Sequence, residues 1–152
     1  MRIIVLTSSR ADYGIYRPLL LKLQQHPHFD LQIIAFGTHL SHFHGYTLTQ
    51  IQQDSLPVAY ALNTLLLGDD AAAISTAMGV TTTTFSQVWA LEQGRTSLVL
   101  ALGDRYEMFA AVSAAVPFNI PIAHLHGGET TLGAIDNVFR HCLLYTSDAA
   151  DE

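Results

Sequence analysis

Five short apolar runs punctuate the chain: Arg2–Thr7, Leu31–Phe36, Leu56–Ala61, Ser97–Leu102 and Ile120–Leu125. Each is rich in Val, Ile, Leu or Ala and nearly continuous in hydrophobicity, which is how strands buried on both faces read. Between them, apolar positions recur at helical spacing. Tyr16, Leu19, Leu20 and Leu23 share one face before the stop at His26-Pro27. Ile74, Met78, Phe85, Val88 and Trp89 mark a longer helix, weakened by the poor helix formers Thr81–Thr84. Met108, Val112 and Val116 mark a third, ended by Pro117. Strands alternating with helices predict a parallel sheet wrapped on both faces, a doubly wound, Rossmann-like α/β domain. No internal repeat interrupts the pattern.

Composition narrows the function classes. A length of 152 residues, 49% apolar, suits one domain with one core. Thirteen acidic against seven basic side chains give a net charge of −6, so there is no basic footprint for nucleic acid. The longest greasy stretch, Met108–Ala123, is cut by Pro117, Asn119 and Pro121 and is not expected to enter a membrane. The opening MRIIVLTSSR lacks an apolar signal-peptide region, so a cytoplasmic protein is expected. A single cysteine, Cys142, excludes a disulfide framework and a multi-thiolate zinc site. His39, His42 and His44, like His124 and His126, lack the carboxylates or thiols that would complete a ligand set, so no metal is expected.

In a parallel sheet with right-handed crossovers, every strand delivers its carboxyl end to one edge, and ligands sit along that edge. Three charged, glycine-rich segments should therefore converge. They are Thr7–Gly14 after the first strand, Gly103–Glu107 after the fourth and His124–Thr130 after the fifth. Each segment also has a plain structural explanation. Thr7–Ser9 and Asp12 can cap a helix starting near Tyr13, leaving Arg10 solvated. The same free amides, with Arg10, suit a phosphate group. Asp104 can be an N-cap, yet an acid at a strand's carboxyl end, flanked by Arg105 and Glu107, is placed for proton transfer. Gly127 and Gly128 let backbone approach a ligand or simply allow a turn. Glu129 and Asp136 flank a helix start, where the helix dipole favours acids. Neither a GxGxxG nor a GxxxxGK[ST] motif is present, so NAD and ATP are not favoured.

Three stretches carry a resemblance: TSSRADYGIYRPLL (Thr7–Leu20), LGDRYEMFAA (Leu102–Ala111) and HLHGGETTLGAIDNVFRH (His124–His141). Together they resemble the UDP-N-acetylglucosamine 2-epimerases, most closely the hydrolysing branch of sialic-acid biosynthesis. LGDDAAAISTAMG (Leu67–Gly79) fits the same family, so the resemblance runs from Met1 to His141. It implies a glycosyltransferase-B-type fold of two Rossmann-like halves, of which residues 1–141 would be the N-terminal one. It implies conversion of UDP-GlcNAc to ManNAc and UDP without metal or nicotinamide cofactor, in a protein that is a homo-oligomer when intact. A base would take the C2 proton as UDP leaves, and water would then add to the resulting 2-acetamidoglucal.

By the same resemblance Asp104 matches the family's essential aspartate, Asp136 the acid of its GAID segment, and Arg10 the arginine after the first strand. Asp12, Gly14, Arg105, Glu107, Gly127, Gly128 and Arg140 fall in the matching motifs as substrate-binding candidates. Where some relatives carry a glutamate, this chain has His126, so either His126 or Glu129 takes the remaining proton transfer. The alternatives are a non-hydrolysing epimerase releasing UDP-ManNAc and a stand-alone, flavodoxin-like binding module. The SSRADYG motif, against a GTRPE-like one, speaks against the former. The last eleven residues, CLLYTSDAADE (Cys142–Glu152), resemble a translated sequencing adapter and are expected to form a non-native, unstructured tail.

Overall fold

In a computed structural model, residues 1–127 and 136–146 are described. Five strands, β1 (Arg2–Thr7), β2 (Asp30–Phe36), β3 (Val58–Leu62), β4 (Leu98–Leu102) and β5 (Ile122–Leu125), form one sheet. All pairings are parallel, in the order β3-β2-β1-β4-β5. All five expected strands are present, shifted by no more than two residues at either end. The chain first builds outward from β1 through β2 to β3, then crosses back to β4 and β5. The point where that direction reverses lies between β1 and β4.

Among the described residues five α-helices cover the sheet: α1 (Arg10–Gln25), α2 (Leu48–Gln53), α3 (Ala71–Glu92), α4 (Tyr106–Ser113) and α5 (Asp136–Thr146). Strand side chains alternate between faces, so β1 feeds two cores. Ile3 and Val5 pack with Tyr13, Tyr16 and Leu20 of α1 and Leu48 and Ile51 of α2. Ile4 and Leu6 pack with Phe85 and Trp89 of α3, Met108 and Val112 of α4, and Leu143 of α5. Each such large side chain, fully removed from water, contributes about 1.5–3 kcal/mol. The indole nitrogen of Trp89 donates to the Ala111 carbonyl at 2.9 Å, so the largest core side chain leaves no polar group unpaired.

Three departures from the sequence expectation have local causes. The threonines do not interrupt α3. Thr82 and Thr84 donate to carbonyls four residues back, at 2.9 and 2.8 Å, while Thr81 is buried. The α4 helix stops at Ser113, before Val116, because Pro117 has no N–H to give the carbonyl four residues back, that of Ser113, and its ring would clash with it; a separate 3₁₀ turn, Val116–Phe118, holds Pro117. Third, order does not end at His141: α5 continues to Thr146, with Leu143 only 1% exposed in the core. Residues 147–152 lie outside the described part. Among the described residues no helix is long and apolar enough to cross a membrane.

Candidate active site at the carboxyl edge

Each of the loops leaving the sheet's carboxyl edge is built by its own sequence. Ser9 and Asp12 form a reciprocal capping box at the start of α1, which begins at Arg10 rather than near Tyr13. One oxygen of Asp12 accepts from the Ser8 amide (2.9 Å), the Ser9 amide (3.1 Å) and the Ser8 hydroxyl (2.8 Å). Asp12 is thereby buried as a brace for the loop. Gly37 stands where a Cβ would come within 2.9 Å of the Ser8 carbonyl, and its φ of +59° is one that glycine takes without strain. That close approach lets the Thr38 amide and hydroxyl both donate to Ser8, each at 2.9 Å. The loops after β1 and β2 are thus tied into one lip.

His39 extends this lip inward. Fully buried, it bridges the Thr7 hydroxyl (2.8 Å) and the Thr47 hydroxyl (2.7 Å). Burial holds its pKa down to about 4, against the opposing pull of Asp12. The sequence placed it in a polar loop with His42 and His44; those two do sit in a 3₁₀ turn near the surface, but His39 is a neutral core histidine.

A second lip joins the loops after β4 and β5. The Gly103 amide donates to the Leu125 carbonyl at 3.2 Å, and His124 Nε2 donates to the Gly103 carbonyl at 2.6 Å. A carbonyl only accepts, so Nε2 carries the proton. Burial lowers the His124 pKa, with Arg140 and His126 adding to the effect and Gly103 and Asp104 opposing it. The ring is therefore neutral with a bare Nδ1, which is buried and has no partner among the described residues. A Cβ on Gly127 would lie 2.8 Å from that nitrogen, so only glycine fits without moving the ring. His126, exposed beside it, takes a left-handed φ of +64° that a histidine adopts at some cost.

Charged groups gather around this second lip. Asp104 does not cap α4, whose N-cap is Arg105 without a side-chain cap. Asp104 instead forms an ion pair with Arg140 of α5; both side chains are largely buried. Arg105 is held by Glu107, which is 1% exposed, through bonds of 2.8 and 3.2 Å. Burial alone would lower the Arg105 pKa, but Glu107 and the charge of Asp12 outweigh it. Asp136, first residue of α5, has its pKa raised, foremost by burial, then by Asp104 and Glu107, while Arg105 and Arg140 act against the rise. Asp104, Arg105, Glu107, Asp136, Arg140, His124 and His126 thus share one electrostatic neighbourhood, and Asp12 reaches it from the first lip.

Arg10 and Gly14 stand apart. They line a crevice of about 370 Å³ between α1 and α2, together with Arg17 and Asp54. There Asp54 takes bonds from Arg17 at 2.6 and 2.7 Å and from the Tyr13 hydroxyl. Gly128 and Glu129 lie outside the described residues. Sequence reasoning missed His124 and the bracing role of Glu107. The glycine three residues after His124 was the available signal for the first. Among the described residues no group of three His, Cys, Asp or Glu side chains could hold a metal.

A cavity of about 400 Å³ opens beside the cluster, also on the carboxyl edge. Thr38 from the first lip and Arg105 and Tyr106 from the second form part of its wall. The remainder comes mainly from the loop after β3, Leu65–Asp69, and from Ile74.

Comparison with known proteins agrees with this architecture. The sequence profile of the UDP-N-acetylglucosamine 2-epimerases matches residues 21–150. A hydrolysing UDP-N,N′-diacetylbacillosamine 2-epimerase of Legionella pneumophila is 37% identical over 142 residues, covering 93% of this chain and 37% of its own length. A hydrolysing GDP/UDP-N,N′-diacetylbacillosamine 2-epimerase of Campylobacter jejuni is 36% identical over 142 residues, covering 93% and 36%. The chain therefore spans little more than a third of these relatives' length. The crystal structure of UDP-GlcNAc 2-epimerase from Neisseria meningitidis, bound to UDP-GlcNAc, superposes with a TM-score of 0.79 at 21% identity, over 97% of this chain and 38% of that one. At that identity the likeness speaks for the fold, which is the Rossmann-like fold of glycosyltransferase-B-type epimerases.

Proposed function

The chain belongs to the UDP-N-acetylglucosamine 2-epimerase family, and we propose that its carboxyl-edge cluster is part of the catalytic centre of a hydrolysing 2-epimerase. The observation that carries this reading is the ion pair of Asp104 with Arg140 of α5, which brings Asp104 to the helix that begins at the partly buried Asp136, 32 positions on in the sequence. The two environments differ. Asp104 is ion-paired to Arg140, whereas Asp136 is pushed toward its protonated form by burial and by Asp104. An acid whose charged form is disfavoured, set beside an ion-paired carboxylate, suits acid–base chemistry.

The reaction fits that equipment. One carboxylate takes the proton from C2 of a nucleotide-bound hexosamine while the C1–O bond breaks and UDP leaves with the electron pair. The product of this step is a 2-acetamidoglucal. Water then adds across the double bond, its oxygen to C1 and a proton to C2 from the opposite face, giving ManNAc when the sugar is GlcNAc. Arg105, held in place by Glu107, stabilises developing negative charge. His126 or Glu129 supplies the remaining proton transfer. The relatives' names leave two sugars in view, GlcNAc and N,N′-diacetylbacillosamine.

The test is to join this chain to the unmatched remainder of the Legionella relative and to supply UDP-GlcNAc and UDP-N,N′-diacetylbacillosamine separately. Free UDP and a free 2-epimeric sugar support the reading. An epimerised UDP-sugar with no free UDP replaces it with the non-hydrolysing outcome. Asp104→Asn should lower turnover at least 100-fold, about 2.7 kcal/mol in the barrier, while circular dichroism stays unchanged. Turnover of that variant near the parent rate would remove Asp104 from the chemistry.

A further inference from the structure

Asp104 follows a glycine, and a glycine holds nothing still by itself. Gly103 takes a left-handed φ of +77°, with no Cβ to limit its other dihedral angle. Both of its polar groups are nevertheless held, and both from the end of β5. The Gly103 amide donates to the Leu125 carbonyl at 3.2 Å, and the Gly103 carbonyl accepts from His124 Nε2 at 2.6 Å. The amide bond continues the ladder, whose last pair is Leu102 with Leu125. That ladder already joins β4 to β5, so the ring bond is not needed to hold the strands together. It acts one step further on, at a peptide unit the ladder does not reach. The unit is planar and contains the Gly103 carbonyl, the Asp104 amide and the Asp104 Cα. Fixing the carbonyl therefore fixes the point from which the Asp104 side chain departs toward Arg140.

The ring is itself held in one state. Its Nδ1 is buried without a partner among the described residues, and a Cβ on Gly127 would lie 2.8 Å from it. Only a ring with its single proton on Nε2 can donate to the carbonyl and stay neutral. A charged ring would set a second cation beside Arg140 and compete with it for Asp104. Resting on the proposed epimerase reading, we infer that His124 is the positioning residue of Asp104: its Nε2–H pins the Gly103–Asp104 peptide and so holds the carboxylate where proton transfer with the sugar takes place. His124 needs no contact with the substrate for this; it acts through the peptide it grips. The consequence is large, because a misplacement of about 1 Å at a reacting group costs on the order of 100-fold in rate.

Two substitutions separate this role from a merely structural one. A glutamine places an N–H donor close to the position of Nε2, whereas the shorter asparagine places its donor close to Nδ1, out of reach of the Gly103 carbonyl. In the 152-residue chain, nitrogen-15 spectra of the His124 ring should show one proton, on Nε2. His124→Asn should shift the Asp104 and Arg140 amide signals and His124→Gln should leave them near their parent positions, with unchanged signals from β1 and β2 checking the fold. In the chain joined to the remainder of the Legionella relative, His124→Asn should lower kcat about 30-fold or more with KM within about threefold, and His124→Gln should bring kcat back to within about fivefold of the parent. A ring protonated on Nδ1, Asp104 signals unmoved by His124→Asn, or equal kcat in the two variants overturns the inference and leaves the epimerase reading standing. A joined parent chain that epimerises neither UDP-sugar overturns both.

Discussion

Two acids at opposite edges of one sheet, Glu92 and Asp136, are treated in opposite ways. At the amino edge Glu92, 0% exposed, accepts from Arg2 twice at 3.0 Å, from the Tyr60 hydroxyl at 2.9 Å and from the Thr96 hydroxyl at 3.0 Å. Burial by itself would raise its pKa, but those four bonds more than reverse it and leave Glu92 below the usual glutamate range. At the carboxyl edge burial also acts first on Asp136, but the nearest acids reinforce it and the arginines only moderate it, so its pKa rises. Burial is common to both; the donor supply decides. An acid saturated with donors holds strands and helices together, whereas for an acid set beside other acids the charged form is disfavoured.

The sharpest way to break the comparison is at Glu92. Glu92→Ala removes the hub of a buried network, leaving Tyr60 and Thr96 without this acceptor and Arg2 with Asp30 alone, so unfolding in denaturant should show a loss of about 4 kcal/mol. A loss below about 1 kcal/mol would mean that the amino edge is no brace.

His39 tests whether the carboxyl edge also keeps a base uncharged. Its pKa is near 4 in the fold against an ordinary 6.5, so between those values the unfolded chain binds a proton that the folded chain refuses. Stability is therefore complete above about pH 6.5 and falls by about 3 kcal/mol as pH drops to about 4. Unfolding free energies of His39→Gln over that range should have a shallower slope than those of the parent chain. Identical slopes would place the titrating group elsewhere.

The smallest effect is expected at Asp136. Its raised pKa means that the charged form is disfavoured in the fold, so stability falls as pH climbs past its unfolded value. Asp136→Asn should then be neutral or stabilising at pH 7, by no more than about 1 kcal/mol, where Glu92→Ala is strongly destabilising. A clear destabilisation by Asp136→Asn would make the two edges alike.

Much of this could be read from the letters. Runs such as Val99–Leu102 and Ile33–Phe36 are buried on both faces, so each strand was recognisable from composition alone. The rule that parallel strands share a carboxyl edge then placed Asp104 near the fifth strand's loop before any partner was visible. Short α2 escaped because Leu48 and Ile51 are too few to display a period. Partner choice was less legible still. Asp12 and Arg10 stand two residues apart, yet one turns inward to brace the loop and the other heads the α1–α2 crevice. Only the acid can accept from the Ser8 and Ser9 amides, so its type allows the inward turn; the capping box at Ser9 and the closeness of Gly37 complete it. Likewise Glu92 reads as one more polar residue near a helix end until Arg2, ninety positions away, arrives to meet it.

The pairing of loops has a mechanical consequence. Ser8 is fastened to Thr38 and Gly103 to Leu125 and His124, each fastening made between neighbouring strands on the same side of the reversal point. The edge therefore behaves as two stiff jaws rather than as a ring of separate fingers. A guest wedged between β1 and β4 would load each jaw as a whole, and a substitution in one jaw would spread first to the strand bolted to it.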